Sequence, residues 1–154
     1  MKRYTVQMID NTISSDWWKK LIGHFMSVGD PFEIRCWKEE ITEIAKASVF
    51  GTATEEKNEV SIKGWVTQAL RRELLEEEPA EKMVYNKMTS YFTIHVNNSL
   101  CDLWSGHYGT EMQIGVASDE ARDFLERVMG QYPEQFCIGC EDGVGKLEKE
   151  GMSR

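Results

Sequence analysis

Apolar and polar side chains alternate from Tyr4 to Ile9, with Tyr4, Val6 and Met8 set against Thr5 and Gln7, and that period of two predicts a strand. Ser14 or Ser15 then offers an N-cap oxygen, with Asp16 well placed in a first helical turn. Trp18, Leu21, Ile22, Phe25 and Met26 follow at helical spacing, and Gly29 and Pro31 close the segment. Phe32, Ile34 and Cys36 alternate with Glu33, Arg35 and Trp37 as a second strand. From Ile41 to Val49 the spacing fits a helix ended by Gly51; a strand entering a hairpin competes, but Glu39, Glu40 and Glu43 break its alternation. Thr54 to Asn58 reads as a polar loop and Val60 to Ile62 as a short strand or helix lead-in.

Trp65, Val66, Ala69, Leu70 and Leu74 predict another amphipathic helix, finishing in Glu76, Glu77 and Glu78 before Pro79. Three carboxylates at a helix C-terminus oppose the dipole. Tyr91 to Val96 alternates again, Asn97-Asn98 supplies a turn, and strands at Leu100–Trp104 and Glu111–Val116 flank the Ser105–Gly109 loop. Ser118 caps a last helix with Ala121, Phe124, Leu125, Val128 and Met129 on one face and Gly130 as its stop. Phe136 to Ile138 adds a short strand. The order predicts one α+β domain over residues 1–140, a mostly antiparallel sheet with three to four helices largely on one face, and a flexible tail over 141–154.

Charge changes this picture from a generic domain to one with a preferred class of partner. The 154 residues carry 26 acidic and 18 basic side chains, a net charge of −8. Such a field repels nucleic acid and attracts basic protein surfaces. The basic residues are dispersed, with Lys19-Lys20 and Arg71-Arg72 each among acids, so nucleic acid is not the expected partner. No apolar run approaches the ~20 residues needed to cross a bilayer, and no basic amphipathic face suits a membrane surface. Met1 to Asp10 lacks the apolar core of a signal peptide, which makes the cytoplasm the expected location, with the four cysteines as free thiols.

Candidate chemistry is sparse. Cys137 and Cys140 have the spacing of half a zinc site, but Cys36, Cys101, His95 and His107 are not paired at ligand spacing. Glu141 and Asp142 disfavour a reactive thiolate at that pair. The Gly139–Lys146 stretch fails as a phosphate loop, because its first glycine is out of register and Leu147 replaces the magnesium-binding hydroxyl. No metal, cofactor or catalytic residue is therefore expected. His107, in a glycine-flanked loop beside Tyr108, becomes an acid/base candidate only if the fold brings Asp102 and Glu111 to it. Neither Ser99 nor Ser105 sits in a nucleophile elbow.

The acidic groups carry the stronger lead. Glu73, Glu76, Glu77, Glu78 and Glu81 fall in a stretch with no base, and Trp37, Trp104 and Tyr108 can anchor an interface. Asp119, Glu120 and Asp123 instead suit a helix N-terminus. The segments Val84–Phe92 and His107–Glu111, with the small size, acidity and α+β order, resemble bacterial immunity proteins of polymorphic or contact-dependent growth-inhibition toxin systems. That resemblance implies a cytoplasmic antidote that blocks a cognate toxin, such as a basic nuclease domain, by charge complementarity. The expected partner surface is Glu73, Glu76, Glu77, Glu78, Glu81, Trp104, His107, Tyr108 and Glu111, with the oligomeric state left open. The alternatives are a small enzyme around His107, Asp102 and Glu111, or a zinc module using Cys137 and Cys140.

Overall fold

A computed structural model describes residues 1–79 and 82–142. Eight strands form one antiparallel sheet in the order β3-β4-β2-β5-β6-β7-β1-β8. They are β1 (Lys2–Met8), β2 (Pro31–Trp37), β3 (Thr52–Glu55), β4 (Glu59–Trp65), β5 (Thr93–Asn97), β6 (Cys101–Gly106), β7 (Glu111–Val116) and β8 (Phe136–Asp142). Four helices of two turns or more, α1 (Asp16–Phe25), α2 (Ile41–Ser48), α3 (Gln68–Glu76) and α5 (Asp119–Met129), are joined by a single turn, α4 (Lys82–Tyr85). The chain is thus a single α+β domain, as its element order implies.

Register explains why the helices lie on one face. Val6 stands opposite Met112, Ile114 opposite Leu103, Leu103 opposite Val96, Ile94 opposite Ile34, and Ile34 opposite Ile62. Side chains alternate along a strand, so one apolar row crosses from β1 to β4 and a one-residue slip would turn it to solvent. The helices cover that row. The opposite face carries Gln7, Arg35, His95, Trp104 and Gln113 and stays open. There Arg35 is clasped by three carboxylates, Glu33 at 2.6 Å, Glu59 at 2.7 Å, and Glu56.

Helix α1 supplies the centre of the core. Trp17 and Trp18 are both fully buried, each contributing roughly 4–6 kcal/mol of transfer free energy. Burial leaves two indole N–H groups to satisfy: Trp17 donates to Met88 Sδ at 3.2 Å and Trp18 to Ser105 Oγ at 3.0 Å. The Thr67 and Ser118 hydroxyls cap α3 and α5, accepting from Leu70 N and Ala121 N at 3.1 Å each.

Four local expectations are corrected. Thr54 and Glu55, expected in a polar loop, belong to the strand Thr52–Glu55; all four of its side chains are exposed, so no alternation announces it. Trp65 ends β4 and is 67% exposed instead of opening the face of α3. Strand β5 begins at Thr93, not Tyr91, whose ring turns into the core. Strand β8 runs past residue 140, with Glu141 and Asp142 opposite Arg3 and Lys2; the rest of the expected tail, 143–154, lies outside the described residues.

Candidate functional site

The hairpin joining β6 to β7 turns through Gly106, His107, Tyr108 and Gly109, closed by Gly109 N donating to Gly106 O at 3.0 Å. Both central residues have positive φ, 49° at His107 and 60° at Tyr108, the pattern of a type I′ turn that usually holds Asn-Gly. Left-handed backbone at such residues costs of order 1 kcal/mol each, and strain of this kind persists only where the surroundings fix it. Here they do. Tyr108 N donates to Phe92 O at 3.1 Å, Met88 N donates to Tyr108 O at 2.9 Å, and the Tyr108 hydroxyl donates to Glu40 at 2.8 Å. Tyr108 is thereby held in place, and His107 Nδ1 is bonded to Glu111 at 2.8 Å.

Three further aromatic side chains meet them. Trp37 from the end of β2 lies 4.8 Å from Phe92 between ring centroids, Phe92 is 5.3 Å from Tyr108, and Tyr85 from α4 lies parallel to Tyr108 at 5.9 Å. With His107 they line a cleft of about 460 Å³, whose remaining wall is Gln7, Met8, Asn11 and Thr110. That wall contains no lysine, arginine or carboxylate. Carboxylates stand behind it instead: Glu40 on the Tyr108 hydroxyl and Glu111 on His107 Nδ1, each at 2.8 Å. Burial, followed by the hydrogen bond and charge of Glu40, pushes the Tyr108 hydroxyl well above its ordinary range. Lys87 Nζ lies 4.2 Å from the Tyr108 ring centroid, so this ring already receives one cation of the chain.

Of the residues singled out from sequence, Trp104, His107, Tyr108 and Glu111 do converge. A second depression of about 250 Å³ beside the cleft is lined by Trp104, His107, Glu111, Phe92 and Gln113 among others. Trp104 is stacked on His95 at 3.7 Å. The enzyme trio does not form. Glu111 holds His107, whereas Asp102 binds His95 Nε2 at 2.8 Å and Arg3 at 3.5 Å. In the register Glu111 faces Gly106 and Asp102 faces Gly115, four residues away, about 13 Å along the hairpin.

The glutamate cluster is also not one acidic patch. Glu73 accepts from the Tyr91 hydroxyl at 3.2 Å and pairs with Lys46 at 3.4 Å. Glu77 turns inward, accepting from Thr89 Oγ1 at 2.6 Å and Ser90 N at 3.0 Å, and Glu78 pairs with Lys19 at 2.9 Å. Internal partners therefore offset the unfavourable dipole at the end of α3. Glu76 is exposed, and Glu81 lies outside the described residues. The acid beside the cleft comes from the start of α2, where Glu39, Glu40 and Glu43 border a depression of about 400 Å³ with Lys87 and Ser90.

The cysteine pair is corrected by its strand. Cys137 faces Gln7 and Cys140 faces Tyr4, so the two point to opposite faces of β8, about 10 Å apart along it. Neither a shared zinc nor a disulfide fits that separation. No group of three metal-ligating side chains occurs among the described residues. Cys36 and Cys101 are buried, and burial, with nearby carboxylates, pushes each thiol up to about 12.

Sequence reasoning missed Tyr85, Phe92, Glu40, Gln7 and Asn11. The Val84–Phe92 stretch held a visible signal, three aromatic residues in a mostly polar segment, but nothing local announced that it packs on the hairpin tip. The chain matches no family model, and comparisons with curated proteins and with solved structures found no significant match. No helix among the described residues is long and apolar enough to cross a membrane.

Proposed function

We propose that the protein is a binding protein without turnover, a stoichiometric inhibitor of the immunity type that occupies a basic site on a cognate toxin domain in the cytoplasm. One observation carries this reading: a strained hairpin tip fixes His107 and Tyr108 into an aromatic cleft with glutamates behind and beside it. Interface anchors are characteristically aromatic side chains whose rotamers are set before binding, because a rigid ring loses little entropy on contact. The net charge of −8 favours a basic partner and raises the association rate at low salt. Asp102 lies away from the His107–Glu111 pair, bound to His95 and Arg3, so the trio on which the enzyme alternative depended does not assemble.

The test uses the full chain as bait in lysate at low salt, eluted with a salt gradient, beside Tyr85→Ala and Trp104→Ala. Both rings are exposed, 62% and 37%, so neither substitution opens the core. The expected result is one basic protein recovered near equal stoichiometry with the native chain and lost or sharply reduced with the variants. Absence of any salt-eluted partner, or equal recovery by all three baits, overturns the reading.

A further inference from the structure

The chemistry of the cleft narrows what it accepts. Its rings present π faces, which attract cations. Glu40 and Glu111 each hydrogen-bond one of those rings, 2.8 Å from the ring's own polar atom, so their negative charge acts on the cleft through them. The wall itself holds no lysine, arginine or carboxylate. A carboxylate or phosphate entering here would meet rings bonded to carboxylates, whereas the ammonium of Lys87, 4.2 Å from the Tyr108 ring centroid and bordered by Glu39, Glu40 and Glu43, already shows a cation seated on one of these rings.

Which cation follows from the polar part of the wall. Gln7, Asn11 and Thr110 add side-chain oxygens beside the rings. A quaternary ammonium carries no N–H to use them, and an ammonium is a compact, strongly hydrated charge. A guanidinium is planar, more weakly hydrated, stacks on aromatic faces and offers five N–H donors in its plane. A cleft of about 460 Å³ has room for a whole arginine side chain. We infer that the aromatic cleft is the receptor for one arginine side chain of the basic partner, stacked among Trp37, Tyr85 and Tyr108 with its edge towards Gln7, Asn11 and Thr110. This rests on the inhibitor reading for its partner but not for its chemistry.

The experiment titrates the full ¹⁵N-labelled chain with three blocked tripeptides, glycine-X-glycine, in which X is arginine, citrulline or lysine. Citrulline keeps the shape and most donors of arginine and lacks its charge. The arginine peptide is expected to shift the Trp37 indole N–H and the Tyr108 and Thr110 amides. It should bind about ten-fold or more tightly than citrulline, several-fold more tightly than lysine, and several-fold less tightly to Tyr85→Ala. No saturable shift at the cleft, equal affinity for arginine and citrulline, or equal affinity for arginine and lysine overturns the inference. Capture of a basic partner without arginine binding removes this inference alone. Arginine binding without any captured partner removes the inhibitor reading alone.

Discussion

Two glycines with the same backbone handedness isolate how tightly the hairpin tip is seated. Gly109 has φ +85°, and a Cβ there would stand 2.7 Å from Met88 Cβ and 2.8 Å from Trp18 Nε1. Gly29 has φ +97°, with nothing within 4 Å of the same added atom. Gly29→Ala therefore tests the backbone alone and is expected to destabilise by about 1–2 kcal/mol. Gly109→Ala carries that loss plus a clash with two fully buried side chains, neither of which presents a flexible end. Overpacking of this kind adds about 1–3 kcal/mol, for a total of about 2–5 kcal/mol. With a urea m-value of ~2 kcal/mol/M, the two midpoints should differ by about 0.5–1.5 M. The assay is paired urea melts followed by fluorescence and far-UV circular dichroism. Midpoints that agree within about 0.2 M would show that the tip is loosely seated and would refute the argument that His107 and Tyr108 are held rigid.

Ser105→Ala should destabilise by about 1–3 kcal/mol, since it leaves the buried Trp18 N–H without an acceptor; a loss under about 0.5 kcal/mol in urea melts would contradict that account. Thiol titration of the folded chain should give fast reaction at Cys137 and Cys140 only, with Cys36 and Cys101 reacting on denaturation, as their burial and raised pKa require. Burial acts to raise the Glu33 carboxyl, but hydrogen bonds from Ser61 and Arg35 and the charges of Arg35 and Lys63 outweigh it and leave its pKa lowered. A depressed folded value adds stability above the unfolded pKa of ~4.3, lost as pH falls through the folded one. Arg35→Met should remove that contribution, so its deficit in urea melts is expected to be largest near pH 7 and to shrink towards pH 3; a deficit that grows on acidification would reverse the sign of the argument.

Elements whose pattern faces a core were legible in the chain. Trp18, Leu21 and Ile22 mark α1 because one side of the helix must be apolar, and Cys101 to Val116 marks a hairpin because one face of each strand must be. Strand β3 shows the limit: an exposed edge strand needs no alternation, so Thr52 to Glu55 looks like loop. At the site, Trp104, His107, Tyr108 and Glu111 were found because they share one hairpin. Tyr85, Phe92 and Glu40 were not, since packing brings them there from two other segments. Glu73, Glu77 and Glu78 misled for the converse reason: composition records a charge but not the hydroxyl, amide or ammonium that occupies it.

The position of β1 between β7 and β8 has a consequence in time rather than in space. Lys2 to Met8 finds its ladder partners only at residues 111–116 and 136–142, so its hydrogen bonds wait on nearly all of the described chain. During synthesis at ~5–20 residues per second, a ribosome-bound chain would spend roughly 5–30 seconds with this strand made and its ladder incomplete. The β3–β4 hairpin and the β5–β7 meander can pair earlier, as each is local in sequence. The ladder of β1 therefore closes later than those local pairings and is complete only when residues 136–142 reach it.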